Sequence, residues 1–224
     1  GVISEIIDFH KSKKLSLHTK LVLTVTAILI ISGTILIFLF ERNNLSTLKP
    51  LTIKEKILTS IFQAVTPRTA GFNTINIGYL NLSTLILLIL FMFIGASPGG
   101  TGGGIKTSTF AIILMNIKNT IKGREGVTIY DRCVDSSTVK KSYLIFTASI
   151  FLIFLSTFLL SITEKFGLIN ILFEVTSAFG TVGLSTGITP YLSPFGKIII
   201  MFTMFAGRVG ILSILTSISV KKPQ

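Results

Sequence analysis

Two uncharged runs decide most of what this chain can become. Residues 21–40 and 142–162 contain no Asp, Glu, Lys or Arg. Each reaches the ~20 residues that an α-helix needs to cross a ~30 Å hydrocarbon layer. Backbone groups in lipid must bond internally, so such runs are helical. A cleaved signal peptide does not explain the first run, which is long and is followed by others. Charged residues make up 13% of the chain and apolar ones 49%, and mean hydropathy is +0.78. That charge content is half of the roughly 25% usual in soluble domains. The fold class expected is an all-α polytopic membrane protein.

The net charge of +12 raises the question of nucleic acid. Its distribution answers against it, because basic residues gather between the apolar runs. Lys11, Lys13, Lys14 and Lys20 precede the first; Lys118, Lys122, Arg124, Arg132, Lys140 and Lys141 fall mid-chain; Lys221 and Lys222 close it. The alternate segments carry fewer: Arg42, Lys49, Lys54 and Lys56, then Lys165 and Lys197. The richer set is expected on the cytoplasmic side. Residues 1–20, 118–141 and 220–224 thus form the cytoplasmic N-terminal segment, the basic loop and the tail. Cys133 is the single cysteine, so no internal disulfide exists, and a free thiol is expected.

The apolar segments recur in one order: a span, a run too short to cross, a stretch rich in Gly and Thr, and a second span. The repeats cover 21–117 and 142–219. Gly71 lies 112 residues before Gly183, and the same offset aligns Thr69 with Thr181, Thr74 with Thr186, Met92-Phe93 with Met204-Phe205, and Gly95 with Gly207. Phe62-Gln63 and Phe173-Glu174 align at 111, so one residue is gained or lost just before the Thr-x-Gly stretch. Chance similarity between apolar sequences does not explain matching glycines and threonines at a fixed offset.

Phe179-Gly180-Thr181-Val182-Gly183-Leu184-Ser185-Thr186 lies between a short apolar run and a long one. That is the setting of a backbone-lined cation filter, in which glycine permits the turn and carbonyl dipoles replace the ion's water shell. The repeat supplies a second such stretch at Thr69-Ala70-Gly71-Phe72. Two stretches do not close a ring that needs about four contributors. The remainder is expected from sequence beyond this chain or from another chain. The plainer alternative is a pair of ordinary glycine turns.

The second span of the first repeat is interrupted by Gly95-Ala96-Ser97-Pro98-Gly99-Gly100-Thr101-Gly102-Gly103-Gly104. A phosphate loop is excluded, because Ile105 separates Gly104 from Lys106 and a span rather than a strand precedes it. Six glycines and one proline do not sustain a helix. An unwound segment within a span suggests a movable constriction. Gly95, fourteen residues from Asn81, and Arg208, fifteen from Ser193, fall at similar depths of ~21 and ~22 Å.

These strings, with Leu17-His18-Thr19-Lys20-Leu21 and Gly207-Arg208-Val209-Gly210, resemble the Trk, Ktr and HKT potassium transporter superfamily, most closely the bacterial Ktr membrane subunit. The resemblance covers nearly the whole chain but only the third and fourth of the family's four repeats. It implies a pseudo-fourfold, potassium-channel-like pore built of span–pore-helix–filter–span units in the bacterial cell membrane. It further implies a homodimer with one pore per protomer, and a cytosolic ring that binds nucleotide and regulates uptake. K⁺ would be the transported ion, with Na⁺ as a further candidate; no separate coupling site for Na⁺ is identifiable. Carbonyls of Thr69, Ala70, Gly71, Phe72, Thr181, Val182, Gly183 and Leu184 would line the filter. A membrane potential of 100 mV would contribute ~2.3 kcal/mol per cation.

Gly95, Ser97, Gly99, Gly100, Gly102, Gly103, Gly104, Lys106 and Arg208 are the expected gate residues. An intramembrane arginine needs acceptors, and unwound carbonyls would supply them, so Arg208 is expected to latch the loop. Lys106 either snorkels to the interface or adds a positive barrier. Glu174 is expected to anchor its half-span behind the filter, and Arg68 to bond nearby carbonyls. His10 and His18 lack metal-ligand partners and read as interfacial. No nucleophile–base–acid set points to catalysis. The competing function is a non-conducting structural subunit of a membrane assembly.

Overall fold

The computed structural model describes residues 5, 16–98, 100, 102–123, 126–129 and 132–213. Among them α1 (Leu17–Glu41) and α5 (Ser136–Thr163) are long and apolar enough to cross a membrane. At 25 and 28 residues they extend ~38 and ~42 Å. Between and after them lie α2 (Ile53–Val65), α3 (Leu82–Phe93), α4 (Thr107–Ile121), α6 (Leu168–Gly180) and α7 (Pro194–Val209).

Local chemistry sets where these helices start. Thr52 and Glu55 form a reciprocal capping box on α2, which satisfies two N–H groups that no helical carbonyl can reach. Asp135 caps α5 by accepting from Ser137 N, and Ser193 caps α7 ahead of Pro194, where a missing N–H costs nothing. Two helices outrun the expected limits, α4 continuing to Ile121 and α5 beginning at Ser136. The last span is interrupted at Gly210, and residues 211–213 are again helical. Gly210, at φ +86°, terminates α7, and the expected continuation through 214–219 lies outside the described residues, as do the tail 220–224 and His10.

An all-α chain requires one correction. Strands β1 (Val127–Ile129) and β2 (Arg132–Val134) pair antiparallel within the basic loop, with Val127 opposite Val134. Val127 and Ile129 are buried against Leu21 of α1 and Ala111 of α4. The alternation of buried Val127, exposed Thr128 and buried Ile129 is the two-residue period of a half-buried strand. Part of the segment 118–141 is therefore packed rather than solvated.

The two halves repeat in conformation as well as order. Three-residue 3-10 turns occur at Ile77–Tyr79 and Thr189–Tyr191, 112 positions apart. The one-residue change of register has a local cause. Pro67 lacks an N–H and restricts the residue before it, so α2 stops at Val65 while α6 runs to Gly180. Equivalent bonds survive the change: Ala70 N donates to Thr66 O, and Val182 N to Ser177 O.

The halves also interlock. Ile37, Ala64, Leu85, Leu88 and Met92 of the first share a core with Phe173, Val182 and Leu184 of the second. Ile153, Leu160, Ile171, Val175, Ile199 and Ile200 form the core within the second half, where Ser156 and Thr203 hydroxyls meet at 2.9 Å. The outward faces are apolar too: Ile28 and Ile31 of α1, Phe154 and Phe158 of α5, and Met201 and Phe205 of α7 are all exposed. A helix apolar on both its packed and its outer face suits a lipid surrounding.

Candidate functional site

The expected ion-lining residues occupy two turns that meet. Among the described residues only two non-glycine positions have positive φ: Thr69 at 70° and Thr181 at 52°. They are repeat equivalents. A β-branched residue in that region is a genuine outlier and costs on the order of 1–3 kcal/mol. Gly71 and Gly183, the next equivalent pair, lie at 74° and 91°. A Cβ on Gly71 would come within 2.4 Å of Val182 O, and one on Gly183 within 3.7 Å of Gly71 Cα. The turns thus sit backbone against backbone, leaving room only for glycine at Gly71.

Their side chains diverge. Phe72 is 71% exposed, whereas its equivalent Leu184 is 3% exposed and joins the shared core. Ala70 and Gly183 are exposed, Val182 is buried, and Thr69, Gly71 and Thr181 are half-buried. No group of three or more His, Cys, Asp or Glu suited to a metal ion occurs among the described residues.

Each turn is fastened differently. Glu174 of α6 is buried and receives Ser185 Oγ at 2.5 Å, Thr186 N at 3.0 Å and Thr189 Oγ1 at 2.7 Å. One carboxylate thereby ties the strand beyond Thr181 to the helix before it. In the first half Thr66 Oγ1 donates to Phe72 O. Gln63, the equivalent of Glu174, is buried with neither amide atom bonded. Arg68 departs from expectation: its Nη2 donates to the Thr26 hydroxyl of α1 at 3.2 Å rather than to a carbonyl.

The glycine-rich segment lies directly against both turns. Ile94 and Ile105 pair as a parallel bridge, with Ile105 N donating to Phe93 O at 3.0 Å, so the segment leaves and rejoins the fold at one place. Within it Gly103 N donates to Thr181 Oγ1 at 2.7 Å, and Gly104 N to Phe179 O at 3.3 Å. A Cβ on Gly95 would lie 2.1 Å from Gly103 O, and one on Gly207 would lie 2.0 Å from Phe179 O. Gly100 N bonds Ser97 O at 3.3 Å. Gly99 lies outside the described residues.

Lys106 makes carbonyl contacts of its own to the segment. Its Nζ donates to Gly102 O and, at 3.4 Å, to Gly100 O. Arg208 is exposed in the last turn of α7, near enough to Lys106 for the two positive charges to oppose each other. His18 and Cys133 are exposed and away from these turns.

Two features of the site have weak sequence signals. The left-handed threonines are invisible to propensity, though their repetition at a fixed offset marks them. Glu41 and Glu164, which end the first span of each half, cap the second: Glu41 receives Asn81 N at 2.8 Å and Glu164 receives Ser193 N at 3.2 Å. Asn81 and Ser193 are 112 residues apart.

Residues 6–224 match the TrkH family model, described as a cation transport protein. The chain is 41% identical over 216 residues to Ktr system potassium uptake protein B of Bacillus subtilis, covering 96% of this chain and 48% of that protein. It is 39% identical over 221 residues to the potassium/sodium uptake protein NtpJ of Enterococcus hirae, covering 97% and 49%. The solved potassium transporter TrkH from Vibrio parahaemolyticus superposes with a TM-score of 0.72 at 18% identity, over 91% of this chain and 44% of its own. The chain spans about half the length of the relatives it matches.

Proposed function

The chain belongs to the TrkH family of membrane cation transport proteins, and from that premise we propose that it is the ion-translocating part of a potassium uptake system. Thr69–Phe72 and Thr181–Leu184 contribute carbonyls to a selective filter. The observation that carries this reading is the abutment of two left-handed Thr-x-Gly turns, Gly71 against Val182 O. Helix-incompatible backbone at the centre of a membrane protein persists where it lines a cavity or is covered by protein, and strain of this kind concentrates at functional sites.

The segment 95–104 acts as the gate beneath that filter, held by Lys106 and flanked by Arg208. Two cations beside an ion path oppose the passage of a third. Na⁺ is a second candidate ion, since one relative is a potassium/sodium uptake protein. A homodimer with a cytosolic nucleotide-binding ring is part of the same reading, as is the cell membrane as its location.

The test is Gly183→Asp in the full-length protein reconstituted in liposomes. K⁺ uptake should be lost while assembly and amount are unchanged, because a side chain at φ +91° distorts the turn. Uptake unchanged in a correctly assembled variant would favour the non-conducting structural subunit instead.

A further inference from the structure

The glycine-rich segment touches the two turns through equivalent residues. A Cβ on Gly102 would lie 2.8 Å from Thr69 Cγ2, and one on Gly103 would lie 2.8 Å from Thr181 Cγ2 and 2.6 Å from Phe179 O. Consecutive glycines therefore seat under the two left-handed threonines, at a separation no other residue permits. Only the second seat is hydrogen-bonded, Gly103 N–H to Thr181 Oγ1 at 2.7 Å, shorter than the usual N–H···O length of about 2.9–3.0 Å.

We propose that Thr181 is a positioning residue whose hydroxyl joins the glycine-rich segment to the filter turn, so that the segment's position and the ion preference of the filter change together. The proposal rests on the filter reading above. Its physical basis is that one bond belongs to both units. Thr181 is the left-handed cap of α6, and that conformation is strained for threonine; the contact from Gly103 helps to hold it. Displacing the segment removes that support from the turn. Reciprocally, whatever stabilises the turn must stabilise the docked segment by the same factor, because coupling between two sites is mutual.

Phe179 O strengthens the seat. It receives Gly104 N–H at 3.3 Å, and α7 approaches it at Gly207. The segment is therefore pressed against the base of the turn from two directions, and a shift of either α7 or the segment reaches Thr181 through adjoining backbone.

The test uses the full-length protein in proteoliposomes, carrying Ala96→Cys as its one thiol, with Cys133 and any other native cysteine replaced by Ser. Ala96 is half-buried and close to Gly102, so a water-soluble thiol reagent reads whether the segment is docked. T181V is isosteric and removes the acceptor. It should raise the modification rate about fivefold, the change expected for one neutral hydrogen bond, and lower the K⁺/Na⁺ flux ratio in parallel. T181S should restore both. A lowered ratio with an unchanged modification rate would overturn the proposal, since the hydroxyl would then act only within the turn. A raised modification rate with an unchanged ratio would also overturn it, since segment and filter would then be independent. If T181V does not assemble, T181A is judged by the same two readouts. Failure of the filter reading itself is distinct: Gly183→Asp would then retain K⁺ uptake whatever the modification rate.

Discussion

Glu41 is fully buried and accepts four hydrogen bonds, from Asn44 Nδ2, Thr47 Oγ1, Asn81 N and Thr84 Oγ1. It thereby closes the N-terminus of α3, where backbone N–H groups are unpaired and the helix dipole favours negative charge. Glu164 does the same for α7 with fewer donors, Ser193 N and Oγ and, at 3.4 Å, Thr163 Oγ1. Removing a buried charged acceptor strands its donors. Glu41→Ala should therefore cost at least ~3 kcal/mol, and Glu164→Ala less, since each buried donor left unsatisfied costs about 1–3 kcal/mol. Thermal unfolding of the purified protein, with the two variants side by side, checks both the cost and its order. The sequence makes each glutamate visible as the end of an apolar run, but not its partners. Asn81 lies 40 residues from Glu41 and Ser193 lies 29 from Glu164, and no local spacing rule spans such a distance. The available signal is only the recurrence itself, Asn81 and Ser193 lying 112 residues apart and Glu41 and Glu164 123 apart. Side-chain identity at Thr181 was hidden for the same reason: a carbonyl filter by itself requires only the glycine, and the hydroxyl's use by Gly103 arises from a segment 78 positions away.

Elements were more legible than their contacts. Apolar length and the offset of 112 locate six of the seven helices, while Pro67 explains why α2 and α6 end differently. The seventh, α4, follows from apolar character resuming after the glycines. The β-hairpin escapes because three apolar residues of strand period stand inside a run of charges, where charge dominates any average. Asp135, between β2 and α5, is the exposed N-cap that joins this hairpin to the membrane span. Its carboxyl is held below the ordinary aspartate value, chiefly by the Ser137 hydroxyl and then by backbone N–H groups of the first turn. A depressed folded value means that this cap stabilises the ionised form. Its contribution is complete above the unfolded aspartate range and is lost as pH falls through the lower folded value. Asn is an equally good cap without a titrating group. Asp135→Asn should therefore match the parent near neutrality and hold its α5 N-terminus better in acid. Amide exchange of Ser137 and Thr138 as a function of pH measures the difference. In the proposed gate, replacing Arg208 by Ala removes one of two opposed cations beside segment 95–104. K⁺ flux through the full-length protein should rise severalfold, and unchanged flux would remove Arg208 from the gate.

At the scale of the whole molecule, the most informative contrast is between α2 and α6. They are equivalent helices of 13 residues each, ~20 Å long and too short to cross a membrane. Residues 173–180 of α6 are buried without exception, enclosed by α5 and α7 of its own half and by α3 of the other. On α2 only Ser60, Gln63 and Ala64 are buried, and Ile53, Ile57, Leu58 and Ile61 are exposed. Among the described residues α3 of the other half packs on α6, and no equivalent helix packs on that face of α2. The same accounting gives Gln63 its unbonded amide, deep beneath a face that lacks a neighbour. The face of α2 should accordingly be covered by an element equivalent to α3 once the full-length protein assembles. In a background without other tryptophans, Ile57→Trp in that protein should then be little quenched by brominated lipid, whereas Phe154→Trp on the exposed face of α5 should be strongly quenched. Equal quenching would mean that α2 meets lipid rather than protein. That outcome would leave two turns facing an open side, where carbonyls lacking opposite partners do not replace an ion's hydration shell.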